Sequence, residues 1–156
     1  MGLLQNFSKP RGFLGRVISL LMNYGEHAQL GRWGMSFVEL PIQADILDLG
    51  CGGGGNLERW LECYPDAHVS GIDHSPVCMS NSIYKDKAFQ NKDLLDKVVK
   101  FKQKFYPRKW AKYEDASFDA ISSFESIYFW SNMEKALAEA YRVLKPGGVL
   151  LLVVAR

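Results

Sequence analysis

The segment 48–56, DLGCGGGGN, carries the residues of this sequence that are best suited to ligand chemistry. Its glycines let the backbone turn sharply and approach a ligand without a Cβ in the way. A helix that begins after the glycines directs its free N–H groups and its positive dipole end at that ligand. Because the glycines lie between a predicted strand and a predicted helix, we interpret the segment as a ligand-binding loop rather than a flexible linker.

Two aspartates narrow the choice of ligand. Gly50, Gly52 and Gly55 satisfy the dinucleotide pattern GxGxxG, so a nicotinamide-dependent oxidoreductase is one hypothesis. Asp48 argues against it, because a carboxylate two residues before the first glycine suits a ligand with a cationic end better than a pyrophosphate. Asp73 can accept hydrogen bonds from both ribose hydroxyls of an adenosine, which fits either cofactor. Its alternative role is to cap the helix predicted after it.

Strand and helix patterns alternate along the sequence around these residues. The predicted strands are residues 44–49, 68–73, 100–105, 118–124 and 149–154. In residues 100–105 lysines alternate with other side chains, as in a protected edge strand. The alternation predicts a Rossmann-like three-layer α/β sandwich with a mostly parallel sheet, in which ligands bind at the carboxyl ends of the strands.

Helical patterns fill the gaps between these strands. We predict an amphipathic helix over residues 13–22, an irregular or partly helical cap over 23–40, a helix from Asn56 as N-cap, and another from residue 75 toward 91. A capping box at Ser131–Glu134 predicts a last helix, which the sequence Lys-Pro-Gly-Gly at 145–148 ends. The side chains expected to face inward from this helix are Met133, Leu137, Tyr141 and Leu144.

Four segments in order resemble the class I S-adenosylmethionine-dependent methyltransferases. They are residues 45–54, 71–75, 117–121 and 142–148, and the resemblance covers about residues 44–155. The Leu-Lys-Pro-Gly-Gly turn in the last segment is more specific than any glycine motif alone. The resemblance implies S-adenosylmethionine as the cofactor. It also implies that strands six and seven are missing, since the family has two strands beyond the fifth.

The resemblance assigns a role to individual residues around the methionine part of the cofactor. Gly50, Cys51 and Gly52 would line it, and Asp48 would help to hold its amino group. Phe124, after the fourth strand, would come near the methionine or sulfonium end.

The same resemblance places the adenosine part. Asp73 would bind the ribose and His74 would lie beside the adenine. Residues 104–108, after the third predicted strand, lack the carboxylate that the family often uses for the adenine amino group. Backbone atoms would replace that contact here.

Methyl transfer is an in-line displacement in which the protein mainly orients the reactants. Glu125 is the candidate general base, with a surface or capping carboxylate as the alternative. His27 is a second candidate base, and packing or hydrogen bonding is its alternative role. Tyr128 is the third catalytic candidate, because ring faces attract sulfonium cations. Core packing is the better interpretation for most of the aromatic side chains of residues 124–130.

Composition limits the class of protein. The 156 residues are 47% hydrophobic and 23% charged, which describes one globular domain. A net charge of +2 indicates neither a nucleic-acid nor a membrane partner. A basic stretch at 97–112, with Tyr106 and Trp110, would be compatible with RNA, but the edge strand already explains three of its lysines.

Three cysteines without a CxxC pair favour neither a disulfide framework nor a zinc site, and we predict no metal. We expect a reducing, cytoplasmic setting. Residues 13–22 are too short for a membrane span and lack the cleavage site of a signal peptide.

We therefore predict a methyltransferase that acts on a small-molecule acceptor, with a cap over residues 1–40 and an incomplete cofactor-binding core over 41–156. A non-catalytic cofactor-binding or assembly subunit is the main alternative, ahead of a nicotinamide-dependent oxidoreductase. An apolar last strand at 149–154, left at the sheet edge, predicts a homo-oligomer or ready aggregation.

Overall fold

The computed structural model describes residues 26–73 and 113–155 of the chain. The elements in chain order are α1 (Glu26–Met35), β1 (Asp45–Leu49), α2 (Gly55–Cys63), β2 (His68–Ile72), β3 (Phe118–Phe124), a 3₁₀ turn (Ile127–Phe129), α3 (Met133–Val143) and β4 (Leu144–Val153). The helices predicted over 13–22 and after residue 75, the lysine strand and the basic stretch lie outside the described residues. Within the described ranges no helix is long and apolar enough to cross a membrane.

The four strands form a parallel sheet in the order β2-β1-β3-β4. Asp48 of β1 is paired with Gly71 on one side and Ser122 on the other. The chain leaves β1 toward β2 and returns on the opposite side as β3, so the strand order reverses beside β1. Ligands bind at this switch point in open α/β sheets. The loops after β1, β2 and β3 therefore meet at one edge.

Two apolar clusters lie on opposite faces of the sheet, because successive side chains of a strand alternate. Ile46 packs with Trp60 of α2 and with Met35 at the end of α1. Leu47 packs on the other face, in a cluster that includes Val143 of α3. The predicted three-layer α/β architecture with a parallel sheet is thus confirmed.

The predicted inward face of α3 is wrong. Tyr141 is 83% exposed and Met133 and Leu137 are also exposed, whereas Ala140 and Val143 are fully buried. The buried residues are smaller, so this face lets α3 lie close to the sheet. Met133, Leu137 and Tyr141, which were expected to face inward, form a neighbouring stripe on the same helix. Leu144, the fourth expected residue, does pack against the cluster beneath α3.

Both predicted helix caps are also shifted. The N-cap of α3 is Asn132 rather than Ser131, and its side-chain oxygen accepts from the backbone N–H of Lys135 at 2.9 Å. The N-cap of α2 is Gly54, without a side-chain hydrogen bond, rather than Asn56. Asn56 instead accepts from the Arg59 side chain at 2.9 Å.

The last strand begins five residues before its predicted start, at Leu144 directly after α3. Leu144 is paired with Phe118 and Val149 with Ala120, so the residues between them form a bulge. Gly147 has φ +79° there. At this amino-terminal edge, Lys145 Nζ donates to the side chains of Asp45 at 2.9 Å and Asp119 at 2.7 Å, which joins the beginnings of three strands.

The cap region contains a regular helix, α1, that packs very closely on the sheet and on α2. A Cβ at Gly34 would lie 2.5 Å from Val153 Cγ2 and 3.3 Å from Phe124 Cε1. A Cβ at Gly31 would lie 2.5 Å from Asn56 Oδ1. Because the two glycines are three residues apart, they lie on one helix face. This face lets α1 reach the carboxyl ends of β3 and β4.

We expect Gly34→Ala to lower the free energy of unfolding by about 1–3 kcal/mol, because the added methyl group overpacks this contact. The sign of this change distinguishes close packing from an open helix surface, because alanine in a helix otherwise stabilises by about 1 kcal/mol relative to glycine. Urea denaturation followed by circular dichroism measures the change. Gln29→Ala, on the exposed side of α1, is the control. A more stable Gly34→Ala variant would refute the close packing.

Candidate functional site

The glycine loop after β1 takes its shape from three residues with positive φ. Gly50, Gly52 and Gly54 have φ +75°, +54° and +88°, a region that side chains disfavour. The backbone N–H groups of Gly50 and Cys51 donate to the carbonyl of Ile72, at 2.7 and 3.1 Å, and so attach the loop to the end of β2. The backbone conformation thus requires glycine at position 54, whereas the GxGxxG pattern has its third glycine at position 55.

Asp73, directly after β2, is buried at the base of this loop. Its Oδ2 accepts from the backbone N–H of Gly52 at 2.9 Å. The carboxylate therefore lies at the edge where the loop and β2 meet, the place in which a ribose-binding acid is expected. His74, the predicted adenine neighbour, lies outside the described residues.

Asp48 lies beneath the loop and is only 1% exposed. Its Oδ1 accepts from Ser122 Oγ at 2.6 Å, and Ser122 Oγ accepts from Trp60 Nε1 at 3.0 Å. Burial raises the pKa of Asp48 to about 7, and Asp73 also raises it, while the Ser122 hydrogen bond and Arg59 act in the opposite direction. The carboxyl is enclosed by protein, so its contact with a cofactor amino group stays a prediction.

Cys51 also turns its side chain into the protein. A Cβ at Gly71 would lie 2.8 Å from Cys51 Sγ, so the thiol packs against the strand β2 where no side chain intervenes. The part of Cys51 available to line a ligand is consequently its backbone.

Glu125 and His27, the two predicted bases, are in contact. His27 Nδ1 and Glu125 Oε2 form a hydrogen bond between residues 98 positions apart. Glu125 has φ +52°, and its backbone N–H donates to the carbonyl of Val153 at 2.8 Å. His27 lies four residues before Gly31, on the same face of α1 that packs against the sheet and α2. The close packing of α1 therefore places His27 in contact with Glu125.

The aromatic side chains at the end of β3 and directly after it divide into two groups. Phe124 and Trp130 pack against the two apolar clusters, as core packing predicts. Tyr128 and Phe129 are instead 59% and 51% exposed. Tyr128 lies in the turn that follows Glu125, and its hydroxyl donates to the carbonyl of Ala155 at 2.9 Å. Core packing thus accounts for two of the four aromatic side chains rather than for most of them, and Tyr128 is one of the two exposed rings.

Sequence reasoning missed several residues that build this edge. Gly31 and Gly34 lie in the region predicted as an irregular or partly helical cap, and each is required by a close contact. Ser122 gave no signal, because a serine in a buried strand has no distinctive spacing. No group of three or more potential metal ligands occurs within residues 26–73 and 113–155.

The buried Asp48 predicts a pH dependence of stability. Its pKa is higher in the folded chain than the ordinary 3.8, so stability from this group is fully present below about pH 4 and is lost as the pH rises toward 7. We expect Asp48→Asn, which keeps an acceptor for Ser122, to be more stable than wild type at pH 8 by up to about 4 kcal/mol.

The two proteins should converge near pH 4. Urea denaturation between pH 4 and 8 measures the difference, with the exposed Asp66→Asn as control. A constant difference across this range would contradict the raised pKa.

The comparisons with known proteins agree with this arrangement. A family model described as a methyltransferase domain matches residues 47–152. The chain is 31% identical over 112 residues to sterol 24-C-methyltransferase erg-4 of Neurospora crassa, covering 70% of this chain and 28% of that protein. It is 33% identical over 115 residues to 27-O-demethylrifamycin SV methyltransferase of Amycolatopsis mediterranei, covering 72% and 40%.

A solved structure, the [4+2]-cyclase SpnF, is similar with a TM-score of 0.68 and 28% identity, over 81% of this chain and 44% of that one. The chain spans about a quarter to two fifths of the length of the two curated relatives. The family match, the parallel sheet and the glycine loop lead to one assignment: the chain belongs to the class I S-adenosylmethionine-dependent methyltransferase family.

Proposed function

We propose that this chain is the cofactor-binding part of an enzyme that transfers a methyl group from S-adenosylmethionine to a small-molecule acceptor. The observation that carries the proposal is the meeting of three features at one sheet edge. They are the glycine loop, the Asp73 carboxylate bound to that loop, and the Glu125–His27 pair. One edge thus combines a nucleoside-binding loop with a group able to accept a proton.

The loop fits the cofactor because it offers backbone rather than side chains. A Cβ placed on Gly52 would meet no atom of residues 26–73 and 113–155 within 4 Å, so among these residues the space beside Gly52 is open to a ligand atom. The backbone of Gly50, Cys51 and Gly52 would line the methionine part, and Asp73 would bind the ribose. Phe124 would lie near the sulfonium end, and its ring packs against Gly34 of α1.

Glu125 is the proposed general base. S-adenosylmethionine, when bound, supplies a methyl group on a sulfonium. The Glu125 carboxylate takes the proton that the acceptor loses as it gains this methyl group. An ionised carboxylate only accepts hydrogen bonds, so His27 Nδ1–H is the donor of the pair. His27 thereby orients the carboxylate.

The acceptor is proposed to be a small molecule with a largely apolar surface. Tyr128 and Phe129 expose aromatic area in the turn after Glu125, and exposed apolar area favours apolar ligands. Two relatives are named for a sterol and for a rifamycin derivative. In this proposal Tyr128 lines the acceptor site, and α1 forms its wall as part of a cap over residues 1–40.

A cytoplasmic location without a nucleic-acid partner completes the proposal. It is supported by the small net charge of +2 and by the three cysteines, which form no CxxC pair in the sequence.

We expect Asp73→Asn to weaken binding of S-adenosylhomocysteine about tenfold or more, because the ribose hydroxyls lose a charged acceptor. Asparagine still accepts from the Gly52 N–H, so the loop is kept. Isothermal titration calorimetry measures the affinity, with Asp66→Asn as control. Unchanged affinity would contradict the role of Asp73. Binding of NAD in place of S-adenosylhomocysteine by the wild type would contradict the cofactor.

Glu125→Gln tests the base. We expect kcat to fall about 10²–10⁴-fold while S-adenosylhomocysteine affinity stays unchanged, since the amide cannot take a proton at neutral pH. The assay follows radiolabelled methyl transfer to a panel of sterols, phenols and amines. Glu134→Gln, in the exposed first turn of α3, is the matched control. Activity of Glu125→Gln equal to wild type would refute the base.

A second candidate function is cofactor binding without methyl transfer, and it is favoured by the similarity to a protein that is named for a cyclase reaction rather than for methyl transfer. A wild-type chain that binds S-adenosylhomocysteine but methylates no acceptor of the panel would support this candidate. Such a chain could still act as an assembly or cofactor-binding subunit.

A further inference from the structure

Ser126, the residue after Glu125, connects the ends of β1 and β3. Its Oγ donates to the carbonyl of Leu49 at 2.6 Å and lies 2.7 Å from Ser123 Oγ. Because the single hydroxyl hydrogen of Ser126 is used on Leu49, Ser123 is the donor of the second bond. Two serine hydroxyls thus form a chain of hydrogen bonds from β3 to the last residue of β1.

Ser126 also touches the first glycine of the cofactor loop. A Cβ at Gly50 would lie 2.3 Å from Ser126 Cβ and 2.6 Å from its Oγ. Any side chain at position 50 would therefore collide with Ser126. The requirement for glycine here comes from this neighbour as well as from the positive φ of +75°.

The backbone of Glu125 is fixed on both sides. Its own N–H donates to Val153, and the residue that follows is anchored to Leu49. A non-glycine residue at φ +52° is in a conformation that persists only when the surroundings enforce it. The Ser126 hydrogen bonds supply part of that enforcement.

We propose that Ser126 is a positioning residue, which holds Glu125 beside the glycine loop and in contact with His27. The inference rests on the proposed role of Glu125 as the base. Ser126 itself touches neither the proton nor the methyl group. Through its contacts with Leu49 and Gly50, Ser126 connects the beginning of the glycine loop with the neighbouring residue Glu125.

The test compares Ser126→Ala with Ser117→Ala. Ser117 is a matched control, because its Oγ also donates to a backbone carbonyl, that of Glu114, at 2.6 Å, at the beginning of β3. The first readout is the ring ¹⁵N signals of His27 in NMR spectra, with Glu125→Ala as the reference for a histidine without its partner. We expect Ser126→Ala to move these signals toward the reference and Ser117→Ala to leave them in place.

The second readout is kinetic. We expect Ser126→Ala to lower kcat about 10- to 100-fold, because a displaced carboxylate is poorly oriented toward the acceptor proton. The affinity for S-adenosylhomocysteine should change less than threefold. The affinity is retained because the bonds from Gly50 and Cys51 to Ile72 remain. A loss confined to cofactor affinity would overturn the proposal and make Ser126 a support of the loop alone.

The NMR readout separates this inference from the proposed function. If the wild type transfers no methyl group, the His27 signals still report whether Ser126 positions Glu125. His27 signals unchanged in Ser126→Ala but shifted in Glu125→Ala would overturn the proposal. If Ser126→Ala does not fold, Ser123→Ala withdraws one bond of the chain, and we expect a smaller shift in the same direction. No shift in that variant would equally overturn it.

Discussion

The site depends on the position of β1 between β2 and β3. Parallel pairing on both sides removes β1 from water, so Ile46, Leu47 and Leu49 are fully buried. Parallel strands bring their carboxyl ends to a single edge, and this is where the chain places its glycines, carboxylates and His27. The opposite edge has another task, since Lys145 ties the beginnings of β1, β3 and β4 together. The two edges of the sheet thus differ: Lys145 holds the strand beginnings together at one edge, and the residues of the candidate site lie at the other.

Local patterns identified the elements and the loop, but packing decided the contacts. The apolar run before Gly50 and the positive-φ glycines have local signatures, so β1 and the loop were predictable. The face of α3 was not, because alanines at 136 and 140 compete with larger side chains on a neighbouring stripe. Two stripes with helical spacing can both satisfy periodicity, and only the distance between helix and sheet selects one.

The same distinction applies to the site residues. Glu125 and His27 could each be proposed as a base from residue type and place in the sequence. Their contact across 98 positions follows from α1 packing through Gly31 and Gly34, and no spacing in the sequence encodes it. Asp48 stands out by its place before the first glycine, yet no local pattern indicates the hydrogen bonds that run from Trp60 through Ser122 to its carboxylate. Burial is a property of the assembled layers.

The glycine loop presents backbone atoms rather than side chains, and this determines which substitutions in the sequence would affect the proposed site. Backbone groups are common to all residues, so the loop's share of the proposed cofactor site depends on conformation, while Asp73 contributes a side chain. In the proposed function, side chains of α1 and of the turn at 127–129 form the acceptor side of the site. Substitutions of the exposed Tyr128 and Phe129 in that turn would then alter which acceptor is used while the glycine loop stays intact. The proposed site would therefore combine a loop that tolerates few substitutions with a turn whose exposed side chains are free to diversify.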